Sequence, residues 1–171
     1  MARLPESDLT HPDVAALIAR IKEERGGKLL NLYRMLLHSP PVADGWRGLM
    51  TAIRQQTTLS GRMRELVILH VAVLNDAEYE FRAHVPFALE EGITLLQINA
   101  LKAGACEGLS AAERDVLAYA AAMTKDLRVP DSTFDAMRKQ LDPREIVELT
   151  ALIAAYNMVS RFLEALQIDH D

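Results

Sequence analysis

Val67-Ile-Leu-His-Val-Ala-Val-Leu74 is the stretch whose reading decides the fold of this 171-residue chain. The run is β-branched and continuous, so its periodicity permits a buried strand as readily as a buried helix. No other segment offers a partner strand, and a lone strand leaves its backbone N–H and C=O groups unsatisfied. The run is therefore read as a buried helix and the chain as all-α.

Outward from this run, the punctuation is helical in both directions. Asn75-Asp76 supplies a short turn immediately after it. Thr10 with Asp13, Asn75 with Glu78, Thr94 with Gln97 and Ser110 with Glu113 have capping-box spacing or a looser version of it. Asp142-Pro143-Arg144-Glu145 combines a cap, a proline at the first helical position and an acid in the first turn. Stops are expected at Gly26-Gly27, Pro40-Pro41, Gly92, Gly104/Gly108 and Pro130. Between these marks Val14, Leu17, Ile18 and Ile21 form one apolar stripe, and Phe134, Met137 and Leu141 another. The pattern predicts helices near 12–25, 28–38, 41–56, 60–75, 77–91, 94–103, 110–126, 131–141 and 143–167. Glu65 to Asn75 is faintly echoed by Glu148 to Asn157, although Ala- and Leu-rich helices resemble one another by chance.

Composition narrows the function. A formal charge of −5 disfavours nucleic acid, which selects basic patches. No apolar run is expected to reach the roughly 20 residues of a membrane helix, and Met1 to Asp8 lacks the apolar core of a signal peptide. The single cysteine, Cys106, excludes an internal disulfide and a Cys-x-x-Cys pair, consistent with a reducing cytoplasm. No linker divides the chain, so 1–171 reads as one domain. The last helix is apolar on more than one face, from Ile146 through Tyr156 to Leu166, so it is either central in its own core or buried against a second copy, and the size of the chain favours a homo-oligomer.

The polar residues that need explaining concentrate between Arg62 and His84. Glu80 and His84 are four apart and share a helix face. A carboxylate beside an imidazole favours its protonated form and fixes its orientation, as acid–base work requires. Glu65 is about ten residues before the turn and His84 about eight after it. On a helix hairpin rising ~1.5 Å per residue, the two come level. The alternative for such a pair is an ordinary ion pair, or a half-buried histidine beside Val85-Pro86-Phe87.

Arg64-Glu-Leu-Val-Ile-Leu, then Tyr79-Glu-Phe-Arg-Ala-His84, then Ala88 and Gly92-Ile93 resemble the carboxymuconolactone decarboxylase family and the related alkyl hydroperoxidase D-like proteins. The likeness runs over about residues 28–168 and takes in Asn31-Leu-Tyr-Arg, His38-Ser-Pro40 and Trp46. It leaves an N-terminal helical extension of about 1–27. The resemblance implies a compact bundle of about eight to nine helices, assembled as a trimer or hexamer. In the hydroperoxidase branch two cysteines precede the histidine, and here their positions hold Ala77 and Glu80. A carboxylate forms neither a disulfide nor a peroxidatic thiolate, so thiol peroxidase chemistry is not expected.

The decarboxylase branch acts on a carboxylated unsaturated lactone. Loss of CO₂ sends electrons through the conjugated lactone to its carbonyl oxygen, and carbon must then receive a proton. The resemblance implies that His84 delivers it, oriented by Glu65 or Glu80, with Arg62 or Arg82 binding the substrate carboxylate or the oxyanion. Tyr79 and Trp46 are candidates for the pocket wall, as are Phe81, Phe87 and Tyr156, although aromatics at helical spacing are usually core. No cofactor is implied, and no His-rich spacing supports a metal site. His70 faces away from Glu65 and reads as a buried or interface histidine. His11, His38 and His170 read as loop or terminal residues. The alternatives are a proton-transfer enzyme or lyase on another substrate, and a non-catalytic helical oligomer.

Overall fold

A computed structural model describes residues 2–10 and 12–171, the side chains of residues 12 and 13 excepted. Among the described residues there are nine α-helices and no strand: α1 (Pro12–Glu24), α2 (Asn31–Leu36), α3 (Pro40–Gln55), α4 (Gly61–Leu74), α5 (Glu78–Glu90), α6 (Leu95–Lys102), α7 (Ala111–Lys125), α8 (Asp131–Met137) and α9 (Pro143–Leu166). The ambiguous run is helical. Leu66, Val67, Ile68, Leu69, Val71 and Ala72 of α4 are all buried, which explains why the run lacks a polar face. The Thr10–Asp13 cap and His11 lie outside the described residues.

Two compact units emerge. One comprises the chain up to Gln56 together with Leu163–Asp171; the other is Thr57–Phe162. In the first, Leu17 and Ile21 of α1, Tyr33 and Leu36 of α2, and Trp46 and Met50 of α3 are buried. A polar set ties α1 to α3: Glu24 accepts from Arg47 and, at 2.7 Å, from Thr51 Oγ1, while Arg25 donates to Thr51 at 3.1 Å.

The second unit is organised by α4 and α5, an antiparallel pair closed by a tight turn. Asp76 adopts φ +54°, a left-handed conformation that aspartate tolerates better than most residues. The Ala77 N–H then reaches back to the Ala72 carbonyl at 2.9 Å. Two of the expected caps are full capping boxes, Thr94 with Gln97 and Ser110 with Glu113. Asp142 and Glu145 likewise exchange backbone N–H bonds at 2.9 and 2.8 Å. Asn75 does not cap α5. It ends α4, and Ala77 stands at the N-cap of α5 with no side-chain bond.

Three expectations on element bounds are corrected. The second helix starts at Asn31 rather than 28, because Leu30 is extended (φ −63°, ψ 151°). The eighth ends at Met137 rather than 141, where Arg138 closes it. Pro40 and Pro41 open α3 instead of only stopping its predecessor, as proline at the first helical positions favours. The expectation about membrane spans also changes. By length and composition α9 is apolar enough to cross a membrane, although Leu149, Leu152, Ile153, Tyr156 and Val159 of that helix are buried in protein.

Candidate active site

Three buried polar side chains converge within the second unit. Glu65, early in α4, is 1% exposed; Glu80 and His84, on α5, are 2% and 7% exposed. The hairpin places them as its register requires. His84 Nδ1 lies 2.7 Å from Glu65 Oε2. A carboxylate only accepts, so Nδ1 carries the proton and donates. That assignment leaves Nε2 of the neutral ring as an acceptor. The Tyr156 O–H, on α9, meets it at 3.2 Å. The two rings stand edge to face with centroids 5.2 Å apart. The result is a line, Glu65–His84–Tyr156, with a carboxyl group at one end and a phenol hydroxyl at the other.

Glu80 is anchored separately. Ser160, one turn beyond Tyr156, places Oγ 3.1 Å from Glu80 Oε2 and 2.9 Å from the Tyr156 carbonyl. Of the two carboxylates expected beside the imidazole, Glu65, level with it on the hairpin, makes the 2.7 Å contact. The ring face of His84 is approached by Phe87, with centroids 5.8 Å apart, and Phe87 is 42% exposed. Between them Pro86 sits inside α5, where it supplies no N–H to the helix ladder.

The arginines expected to bind substrate are otherwise employed. Arg62 donates through Nε to Glu113 at 2.7 Å and through Nη1 to the Gly92 carbonyl at 2.8 Å. Arg82 is 67% exposed and pairs with Glu78 at 2.7 Å. The guanidinium at the buried pair belongs to Arg64, whose Nε is 3.4 Å from Glu65 Oε1. Tyr79 is buried on α5, and Trp46 is buried on α3 in the other unit.

Residues 40–122 match the model of the carboxymuconolactone decarboxylase family. The likeness to that family is carried by this stretch, just under half of the chain. Solved structures add the fold. A peroxidase-related protein from Ralstonia eutropha, described as an alkylhydroperoxidase AhpD core, superposes with TM-score 0.85 at 17% identity, covering 99% of this chain and 92% of its own. A complex of the debrominase Bmp8, in a cysteine-to-alanine form, with 2,3,4-tribromopyrrole gives 0.79 at 18% identity, with 99% and 90% covered. An Agrobacterium tumefaciens protein of unknown function, a proposed antioxidant defence protein, gives 0.73 at 23%, with 78% and 93% covered. Among curated proteins none matches the sequence.

The decarboxylase-family stretch thus carries Glu65, Glu80, His84 and Arg64 but ends before α9, which supplies Tyr156 and Ser160. Cys106 lies between α6 and α7, outside this group. Sequence reasoning placed Tyr156 only as a possible pocket wall and passed over Ser160 and Arg64. Arg64 carried a usable signal, being the residue next to Glu65; Ser160 carried none beyond sharing a face with Tyr156.

Proposed function

We propose that this protein is an acid–base lyase that decarboxylates a small, unsaturated carboxylated substrate, with His84 as the proton donor to carbon. The observation that carries the reading is the Glu65–His84–Tyr156 line, with its 2.7 and 3.2 Å contacts. Decarboxylation breaks the C–CO₂⁻ bond and leaves its electron pair on the conjugated fragment. One proton is consumed at carbon for each CO₂ released. A group that holds a proton in a buried place is therefore what the reaction asks for. The Glu65 carboxylate on Nδ1 fixes the tautomer whose Nε2 takes a proton from the Tyr156 hydroxyl and passes it to carbon. Once His84 has given up its proton, the Tyr156 hydroxyl is the adjacent group through which it is restored.

The fold shared with peroxidase-related proteins does not extend to their name in this reading. Thiol chemistry needs a thiolate, and Ala77 and Glu80 stand where the resemblance calls for cysteines. The test is turnover of carboxymuconolactone, followed by ultraviolet absorbance, in wild type, His84→Ala and Tyr156→Phe. The expected result is turnover in wild type, a loss of about 100-fold or more in His84→Ala, in the range of acid–base contributions, and a smaller loss in Tyr156→Phe. An inactive wild type removes the substrate assignment. Full activity in His84→Ala removes the mechanism.

A further inference from the structure

We propose that Arg64 is the seat of the substrate carboxylate and that the Glu91 side chain occupies this seat until substrate exchanges with it. The inference rests on the acid–base reading of the same site and adds the residue that selects the substrate.

Arg64 differs from three other arginines of this unit. Arg62, Arg82 and Arg144 each donate to a carboxylate at 2.7–2.8 Å. Arg64 is 18% exposed, yet its two acidic neighbours stand off: Glu65 Oε1 at 3.4 Å from Nε, and Glu91 Oε1 at 3.7 Å from Nη2. Charge-assisted pairs of this kind close to about 2.7–2.9 Å when geometry allows. A guanidinium has five N–H donors in a planar fork suited to a carboxylate. Among the described residues, only the long bond to Glu65 uses one of them.

The space beside Arg64 already holds one carboxylate, that of Glu91. Gly61 opens α4, and a Cβ built there meets the end of the Glu91 side chain. The glycine thus leaves room for the carboxylate that fills the place now. Glu91 follows the last residue of α5, and its side chain is 41% exposed. A loosely held, half-exposed ion pair contributes little, so the side chain swings out at small cost. An incoming carboxylate replaces one anion with another and leaves no charge stranded. Arg64 then connects it through Glu65 to His84, which aligns recognition of the acid with the proton donor.

The test is binding, kept separate from turnover. Fumarate and its neutral analogue fumaramide are titrated by calorimetry into wild type, Arg64→Gln, Glu91→Gln and the control Glu90→Gln, which removes an exposed acid one residue away. The expected result is fumarate binding in wild type, weakened about tenfold or more in Arg64→Gln. It tightens at least threefold in Glu91→Gln, beyond any change in Glu90→Gln, and fumaramide shows no such pattern. The proposal is overturned if fumarate fails to bind wild type and Glu91→Gln, if Arg64→Gln binds it unchanged, or if Glu91→Gln and Glu90→Gln behave alike. Should Arg64→Gln not fold, the comparison of the two glutamate variants decides alone. A protein that passes this test while His84→Ala retains full turnover has the seat without the proposed mechanism.

Discussion

At the scale of single residues, two histidines of the same hairpin meet opposite fates. His84 has a carboxylate on one nitrogen and a phenol on the other. His70, on α4, hydrogen-bonds the Leu117 backbone, while its Nδ1 is buried and has no hydrogen-bond partner among the described residues. Burial, helped by the nearby Lys125 charge, pushes His70 down to about 4 from 6.5, against the opposing Leu117 hydrogen bond. The folded protein therefore keeps this ring neutral between pH 6.5 and about 4, while the unfolded chain protonates it. Stability due to His70 is complete above 6.5 and drains away as pH falls toward 4, by roughly 3 kcal/mol over the window. Urea unfolding of wild type and His70→Gln at pH 7, 5.5 and 4.5 measures this. The variant is expected to lose less stability on acidification, and parallel curves refute the assignment. The Glu65–His84 contact was legible in the sequence because a two-helix hairpin sets its own register. The contacts of Tyr156 and Ser160 were not. They lie 72 and 80 residues from their partners, and no local pattern says where α9 will pack.

At the scale of elements, helix starts were the most readable feature, since a cap is written within four residues. Ser110 accepts from the Glu113 N–H at 3.2 Å while Glu113 Oε2 accepts from the Ser110 N–H at 2.7 Å. The same Glu113 receives Arg62 on its other oxygen, so this box also ties the start of α7 to α4. Ser110→Ala is expected to lower the unfolding free energy by about 1 kcal/mol, the usual value of such a cap, with an unchanged denaturant slope. A loss below a few tenths of a kcal/mol would show that the box is redundant with the Arg62 bond. Asn75 shows where reading by spacing fails. Its distance from Glu78 fits a cap, but its side chain instead donates to Asn157 Oδ1 at 3.1 Å, and Asn157 passes a bond on to Thr124 at 3.0 Å. The two asparagines that end the faint repeat thus face each other across α4 and α9. The early end of α8 was illegible for a related reason: Leu141 fits the apolar stripe, but the chain leaves the helix at Arg138.

At the scale of the whole molecule, the larger unit leaves several large apolar side chains on its surface. Leu95 and Leu96 at the start of α6 are 59% and 72% exposed, Phe87 and Leu89 on α5 are each 42%, and Val147 and Met158 on α9 are 68% and 36%. Scattered exposed leucines need no explanation, but exposed Phe87 lies beside the His84 ring and so bears on the site as well as on solubility. The breadth of the apolar surface of α9, which its buried residues only partly use, points the same way as the sequence did. We propose self-association through this unit. Light scattering at micromolar protein is expected to give a mass of two or more times 19.0 kDa. Leu96→Lys and Val147→Lys, both at exposed positions, are expected to lower it while leaving the helical circular dichroism intact, since neither side chain contributes to the core of the single chain. A monomer mass in wild type refutes the proposal. If the variants dissociate and turnover falls with them while fumarate still binds, the assembly is completing the surroundings of Phe87 and His84. If turnover persists in the dissociated variants, each chain carries a whole site.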